Sequence, residues 1–289
     1  MGYKKGERVR HPTKEDWGLG EILEDSRGDR VRIFFVGVGE KTLSLQHIEP
    51  VRVVGDESHH PVLDNLRIAK SQSGIKYQSL PHSIEVFLEQ FPEGFYGTKF
   101  IESERDDKEK ACALSESLLG EDAFRTLLDM EQYDEITKRA LKLVNKTNLI
   151  FPNEKMALKD GLQNPDSRQG FSQALFSLLY GNGLFEERFM TFASLLENIG
   201  AAKWTTATYF PFFAHPKQHM FVKPTISQHA AEVCGWDLNY KPQLNWLTYK
   251  KVLDLSSYLF DQLSELKPRD MIDVQSFMWC IAPGTYKDS

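Results

Sequence analysis

Cysteine is scarce in this chain. Cys112, Cys234 and Cys280 lie far apart and in no metal-like spacing. That excludes a disulfide framework and fits free thiols in a reducing compartment. Long apolar runs are also missing. No segment approaches a membrane span, and no apolar stretch follows Met1-Gly2-Tyr3-Lys4-Lys5, so neither a signal peptide nor a membrane partner is expected. Gly6 stands where a myristoylation signal needs Ser or Thr. Excess positive charge is absent too. A net charge of -6 argues against coating nucleic acid by charge alone, although local basic patches still set phosphate contacts. No Gly-rich phosphate loop occurs, which disfavours nucleotide hydrolysis. The eight histidines, among them His59, His60, His215, His219 and His229, offer no HxH or HxxxH on one helix with a third ligand. Neither a metal nor a cofactor is expected. What remains is a cytoplasmic globular protein with room for one large domain and a small one.

Residues 1–54 read as β. Trp17-Gly18-Leu19-Gly20-Glu21-Ile22-Leu23 alternates into a strand, and Ser26-Arg27-Gly28-Asp29 supplies turn chemistry. Arg30-Val31-Arg32-Ile33-Phe34-Phe35 alternates charged and apolar residues, as a half-buried strand should. Short strands punctuated by glycine in so few residues predict a small SH3-like barrel. Residues 55–79 are polar and turn-rich and read as a linker, with one short ordered piece around Val62 to Ala69. From Leu80 to the end at 289 the apolar spacing is helical. A long amphipathic helix is expected over Asn245 to Leu266 and a last one over Asp270 to Ile281. The fold class is thus α+β in separate domains, a β-barrel followed by an all-α body of around ten helices.

The segments Gly6 to Pro12, Trp17 to Gly20, Val31 to Phe35 and Gly39 to Leu43 together resemble a bacterial Tudor-like module. Similar modules occur at the ends of some DNA helicases and in RNA-polymerase-binding proteins. The resemblance covers about a fifth of the chain and implies docking to protein or nucleic acid, not catalysis. Trp17 and Phe34 read as core or turn residues sooner than as ligand contacts.

The stretch Leu195 to Gly235 carries the sharpest signal. A helix with apolar spacing at Phe189, Phe192, Leu195 and Leu196 breaks at Asn198-Ile199-Gly200, and an apolar helix runs from about Ala202 to Pro216. A short loop, Met220-Phe221-Val222, then leads to Lys223-Pro224 and another helix. This layout resembles the helix-hairpin-helix DNA glycosylases. The hairpin of that family exposes backbone N–H groups at a helix N-terminus, where donors and dipole suit a phosphate. Asn198, Gly200, Ala201 and Ala202 match the hairpin, with Asn198 in place of the family's first glycine as a residue tolerant of left-handed backbone. A Gly-Ala turn between two helices also ends many ordinary helix pairs.

The resemblance implies an Asp at the start of the helix after the loop, where its charge supports an oxocarbenium-like sugar as the base departs. Lys223 stands there instead, and the spacing from Gly200 is a few residues longer than the family norm. In bifunctional relatives a lysine amine early in the second hairpin helix forms a Schiff base with the sugar. Lys203 lies near that place, so Lys203 and Lys223 are the candidate amines. Asp270 and Asp273 lie three apart on the last helix and are the candidate carboxylates. Gln275 and Trp279 share another stripe as candidate substrate contacts, with Asp237 a lesser one. Each has a plainer alternative. Lys203 reads as a solvated helix residue or phosphate contact, Lys223 as a helix start, Asp270 as an N-cap and Trp279 as core. Lys138, Lys142 and Lys146, with Arg139 beside them, form a basic face that reads as a strand contact or as a solvated surface.

The leading expectation is a DNA glycosylase that flips a modified base out of duplex DNA and leaves an abasic site, with or without lyase activity. Loss of the usual Asp, with carboxylates, a glutamine and a tryptophan on one helix, points to a bulky substrate such as a sugar-decorated base of phage DNA, hence to antiviral defence. The competing expectation is a non-catalytic DNA- or RNA-polymerase-binding adaptor, its N-terminal module docking a protein partner. A helical interaction scaffold is the third.

Overall fold

The computed structural model of the protein describes residues 2–66 and 77–286. The chain forms two compact units. One comprises Met1–Gln90, Gln228–Leu238 and Trp279–Ser289; the other comprises Phe91–Ser227 and Asn239–Met278.

The first unit holds a five-stranded antiparallel sheet of order β4-β3-β2-β1-β5. Its strands are β1 (Arg8–Arg10), β2 (Leu19–Ile22), β3 (Arg30–Phe35), β4 (Gly39–Ser44) and β5 (Val51–Val53). The period-2 reading of β3 holds: Val31, Ile33 and Phe35 join Tyr3, Val9, Ile22 and Leu43 in one apolar core. The Tyr3 hydroxyl donates to the Pro50 carbonyl at 2.7 Å and ties the first residues to the entry of β5. Arg8 pairs with Glu21 across the sheet and with Asp64 at 2.7 Å.

The stretch expected to be a linker contains packed structure. A 3-10 turn at Gly55–Ser58 precedes helix α1 (Pro61–Asp64), whose Val62 and Leu63 are buried. Leu66 bridges Trp236, the Asp237 N–H donates to the Asn65 carbonyl at 2.7 Å, and the Gln78 N–H donates to the Val233 carbonyl at 2.9 Å. Tyr77 stands edge-on to Phe34 at 4.6 Å and donates its hydroxyl to the Val36 carbonyl. Its apolar residues find burial on a segment more than a hundred and fifty positions away, which local polarity cannot reveal. Residues 67–76, including Ala69 and the Ser71 to Gly74 turn signal, lie outside the described residues. Helix α2 (Leu80–Gln90) completes this part.

The second unit is helical. Helix α3 (Thr98–Phe100) passes through a π turn (Ile101–Arg105) into α4 (Asp106–Leu119). There follow α5 (Glu121–Asp129), α6 (Tyr133–Val144), α7 (Pro152–Gly161), α8 (Pro165–Tyr180), α9 (Phe185–Asn198), α10 (Trp204–Ala214), α11 (Pro224–Val233), α12 (Trp246–Gln262) and α13 (Met271–Ile281). The chain divides between the units within α11 and again within α13. Helix α10 is buried continuously from Trp204 to Phe213, as expected of a segment apolar on every side. The Tyr209 hydroxyl, deep in this core, donates to the Leu143 carbonyl at 2.9 Å. Helix α12 ends earlier than its apolar pattern implied: a 3-10 turn (Ser264–Leu266) and Lys267, in the left-handed region at φ +52°, close it before Pro268. Among the described residues no helix is long and apolar enough to cross a membrane.

Candidate functional site

Lys223 is placed by its neighbours in sequence. Pro224 begins α11 and holds the residue before it out of helical geometry. Met220, Phe221 and Val222 are buried. The Val222 N–H donates to the Thr208 hydroxyl of α10 at 2.9 Å, and the Tyr249 hydroxyl of α12 donates to the Met220 carbonyl at 3.3 Å. The loop is therefore pinned, and Lys223 emerges from it half-buried with Nζ 5.2 Å from the centroid of the Phe151 ring. Burial lowers the Lys223 pKa, and the nearby charge of Glu154 opposes that shift. The amine is thus easier to deprotonate than an ordinary lysine.

Glu154 is a residue that the sequence reading missed. It is the third residue of α7, and its Oε2 accepts from the Phe151 N–H at 3.2 Å, the one half of a capping box that a phenylalanine N-cap allows. The same oxygen accepts the Thr205 hydroxyl at 2.9 Å from the first turn of α10. One carboxylate thus sits at the N-terminal turns of two helices, where both dipoles favour its negative charge. The run Phe151-Pro152-Asn153-Glu154 carries the signal for the helix start. Nothing local points to Thr205 or Lys223 as partners. Lys155, next in the chain, donates Nζ to the Thr147 carbonyl at 2.7 Å, and burial lowers its pKa.

Asp270 and Asp273 are elsewhere in this unit and are engaged. Asp273 has no exposed side-chain surface. Its Oδ1 accepts from Arg105 Nη1 at 2.8 Å, and its Oδ2 accepts from the Arg269 N–H at 2.8 Å and Nε at 3.0 Å. Asp270 holds Arg105 with both oxygens at 2.9 and 2.7 Å, and its Oδ1 also accepts the Ile272 N–H at 3.0 Å, capping α13. Arg105 Nε donates to Glu109 at 2.6 Å. Burial works against the Arg105 charge, but the bonds to Asp270 and Glu109 and the field of Asp273 hold its pKa above normal. Beside this centre Lys108 bonds Glu104 at 3.1 Å and the Ser276 hydroxyl at 3.3 Å. As bases or nucleophiles these two aspartates require a correction: their oxygens are consumed by arginines and backbone, and Asp273 has no path to solvent. The N-cap reading of Asp270 describes its geometry.

The hairpin also departs from expectation in detail. Asn198 ends α9 in helical geometry, and Gly200 takes the left-handed conformation at φ +74°. The Gly200 N–H donates to the Glu197 carbonyl at 3.0 Å and the Ala201 N–H to the Leu196 carbonyl at 2.7 Å, a Schellman closure. The left-handed role assigned to Asn198 thus belongs to Gly200, because the closure places it two residues later. Gly161 backs the turn: a Cβ there would lie 2.3 Å from the Ile199 carbonyl oxygen. Asn198, Gly200 and Lys203 are exposed, Ala202 half-buried and Ala201 buried. Lys203 precedes α10 as its N-cap, in extended backbone and without a side-chain cap bond, so it lies outside the helix in which it was expected.

The other candidates are dispersed. Lys138 and Lys142 are exposed on α6, and Lys138 pairs with Glu135 at 3.7 Å. Gln275 is buried, and no hydrogen-bond partner to its Oε1 is present among the described residues. Asp237 and Trp279 belong to the first compact unit, whereas Lys223, Lys203 and Gln275 belong to the second. Burial pushes the His219 pKa down to about 3, helped by His215 and Arg188, and its ring stacks on Phe185 at 4.2 Å. Burial likewise pushes the thiols of Cys112 and Cys234 up to about 12, so neither is a thiolate nucleophile. Among the described residues no group of three or more His, Cys, Asp and Glu is placed to hold a metal ion.

Residues 3–53 match a family model described as a protein of unknown function, DUF3553. No curated protein matches the chain. No solved structure matches it either.

Proposed function

We propose that this chain is a DNA N-glycosylase whose reacting group is the amine of Lys223. The observation that carries the reading is the environment of that amine: half-buried, deprotonated more easily than normal, lying over Phe151 and in the field of Glu154. A flipped deoxynucleotide meets a neutral Nζ, which attacks C1′. The N-glycosidic bond breaks with its electron pair leaving on the base, and the base takes up a proton. The nitrogen passes one proton to Glu154, and Glu154 returns it to O4′ as the C1′–O4′ bond breaks and the ring opens to an iminium. Water then hydrolyses that iminium, restoring the amine and leaving an abasic site. Thr205 keeps the Glu154 carboxylate oriented, and Phe151 offers an aromatic face to the substrate. The exposed turn at Gly200, with exposed Lys203 close by, suits a DNA phosphate.

One specific observation favours the second reading, a DNA-binding adaptor without chemistry. Both carboxylates that were to replace the missing Asp are locked in ion pairs. Their engagement also removes the support for a sugar-decorated base that rested on an acidic, aromatic pocket along α13. Substrate range is therefore a matter for the assay. Plain duplex, duplex carrying a broad set of damaged bases and glucosylated phage DNA are incubated with the full chain and scored for alkali-labile sites. Borohydride is added in parallel to trap an enzyme–DNA adduct. The glycosylase reading expects cleavage of at least one substrate and an adduct lost in Lys223→Ala but kept in Lys203→Ala. Absence of abasic sites on every substrate leaves the adaptor reading in its place.

A further inference from the structure

Two grooves of about 530 Å³ each open on the helical unit, and their chemistry differs. The groove between α8 and α9 is lined by small and uncharged side chains such as Gly170, Ser177, Ser194 and Asn198. Nothing in it selects a ligand. The groove between α6 and α7 has an apolar floor of Leu141, Val144, Pro152 and Met156, with Lys155 and Lys159 along its wall and a single acid, Asp160. Met156 is 63% exposed and Phe151, the residue before Pro152, is 51% exposed. Lys142 is exposed on α6 next to Leu141, a residue of the lining. Neither Lys142 nor Lys159 forms an ion pair among the described residues, although the chain as a whole is acidic.

We infer that the α6–α7 groove is a second nucleic-acid subsite that holds single-stranded DNA adjoining the flipped nucleotide. Its floor is wide and apolar enough for a base to lie on Met156 and Pro152, and free lysine charge stands where the phosphates of that strand run. Base stacking together with phosphate neutralisation is the recurrent physics of single-strand binding. The groove and the proposed reaction centre draw on neighbouring residues of one segment. Pro152 lines the groove, while the adjacent Phe151 lies under Lys223 Nζ. A strand displaced by base flipping reaches both through the same pair of residues. This inference rests on the reading of DNA as substrate and extends it to a surface remote from the hairpin.

The test is fluorescence anisotropy of the full chain with a labelled oligothymidylate of about 12 nucleotides at low salt, within the usual range of single-strand site sizes. The wild type is expected to bind. The double variant Lys142→Glu, Lys159→Glu is expected to lose about tenfold or more in affinity and to lower the log–log salt slope by about 1.4, roughly 0.7 per lost single-strand phosphate contact. Met156→Ala is expected to weaken binding with the salt slope unchanged, because it removes apolar floor and alters no charge. Lys138→Glu, whose lysine is already paired with Glu135, shifts affinity by less than about twofold. Lys223→Ala retains oligonucleotide binding while losing borohydride trapping. Wild-type affinity in the double variant overturns the groove but leaves the glycosylase reading standing. Competition by poly-glutamate as effective as unlabelled oligonucleotide overturns it in favour of an acidic peptide. Failure of the wild type to bind any DNA removes both readings.

Discussion

Arg105 Nη1 lies 2.8 Å from Asp273 Oδ1 across 168 positions of sequence, and neither side chain has appreciable exposure. The π turn over Ile101–Arg105 immediately precedes α4 and ends on this arginine. An extra residue in a helical turn rotates the side chains beyond it, so the turn sets the direction in which Arg105 points. The same guanidinium holds Asp270, and Asp270 caps α13. The start of the last helix is thereby tied to the start of α4 by charge within the helical unit.

Removing one partner leaves buried charge with fewer counter-charges: Asp270 loses both Arg105 bonds when the arginine goes, and Arg105 loses its Asp273 bond when that carboxylate goes. Arg105→Ala and Asp273→Asn are each expected to lower stability by about 3–5 kcal/mol. Calorimetric unfolding of the full chain reads the loss. The losses of Arg105→Ala and Asp273→Asn should fall short of additive in the double variant, because the two side chains share one network of bonds. A loss under about 1 kcal/mol for Asp273→Asn would contradict a tightly coupled centre.

Lys223 provides a pH signature. Burial lowers its pKa, so its neutral, nucleophilic form is populated at a lower pH than that of a lysine at 10.5. The rate of borohydride trapping should rise with pH and reach half its plateau below 10.5. Glu154→Gln should slow trapping by about 10²-fold, the scale of a lost acid–base group. Thr205→Val, which leaves the carboxylate in place but unoriented, should cost less. Equal losses in both variants would mean that Glu154 acts only as a structural cap.

His219 links acid sensitivity to one side chain. Its pKa falls from 6.5 to about 3 on folding, through burial first and then His215 and Arg188. The unfolded chain therefore binds a proton that the folded one refuses. The stability this contributes is complete above pH 6.5 and is lost as the pH falls toward 3. His219→Phe, which keeps the stack on Phe185, should flatten the stability profile in that window. An unchanged slope of Tm against pH between 6.5 and 4 would refute the assignment.

Two glycines at the hairpin separate crowding from backbone strain. Nothing lies within 4 Å of a Cβ built on Gly200, so Gly200→Ala carries only the left-handed penalty of about 1–2 kcal/mol. At Gly161 a Cβ would meet the Ile199 carbonyl at 2.3 Å, and backbone must move. Gly161→Ala is expected to cost about 1–3 kcal/mol and to disturb the turn as well. Chemical denaturation gives the two losses, and amide exchange at Gly200 and Ala201 shows whether the Schellman closure survives.

Much of this architecture is legible in the residues alone. The alternation in Arg30 to Phe35 described β3, the Gly-rich punctuation described a small antiparallel sheet, and the Pro268-Arg269-Asp270 sequence placed the start of α13 to within one residue. The turn between α9 and α10 was also readable, although its left-handed residue was not. Two glycine-like positions stood close together, and only the hydrogen bonds of the closure chose Gly200 over Asn198. The candidate site was legible only in half. Lys223 stood out because its charge opposes what the resembled family needs there. Glu154 did not, since it looked like an ordinary capping glutamate and its bond to Thr205 spans 51 positions.

The sequence by itself determined whatever depends on a few neighbouring residues: side-chain periods of 2 and 3.6, turns at Gly and Pro, caps, and the sign of charge at Lys223. Tertiary structure alone decided which charges became one another's partners. Asp270 and Asp273 were set against Arg105 and withdrawn from chemistry, while Glu154 was brought to the field of Lys223. The reason is physical. A carboxylate's availability depends on the donors and the water around it, and those are supplied by segments that only folding brings near.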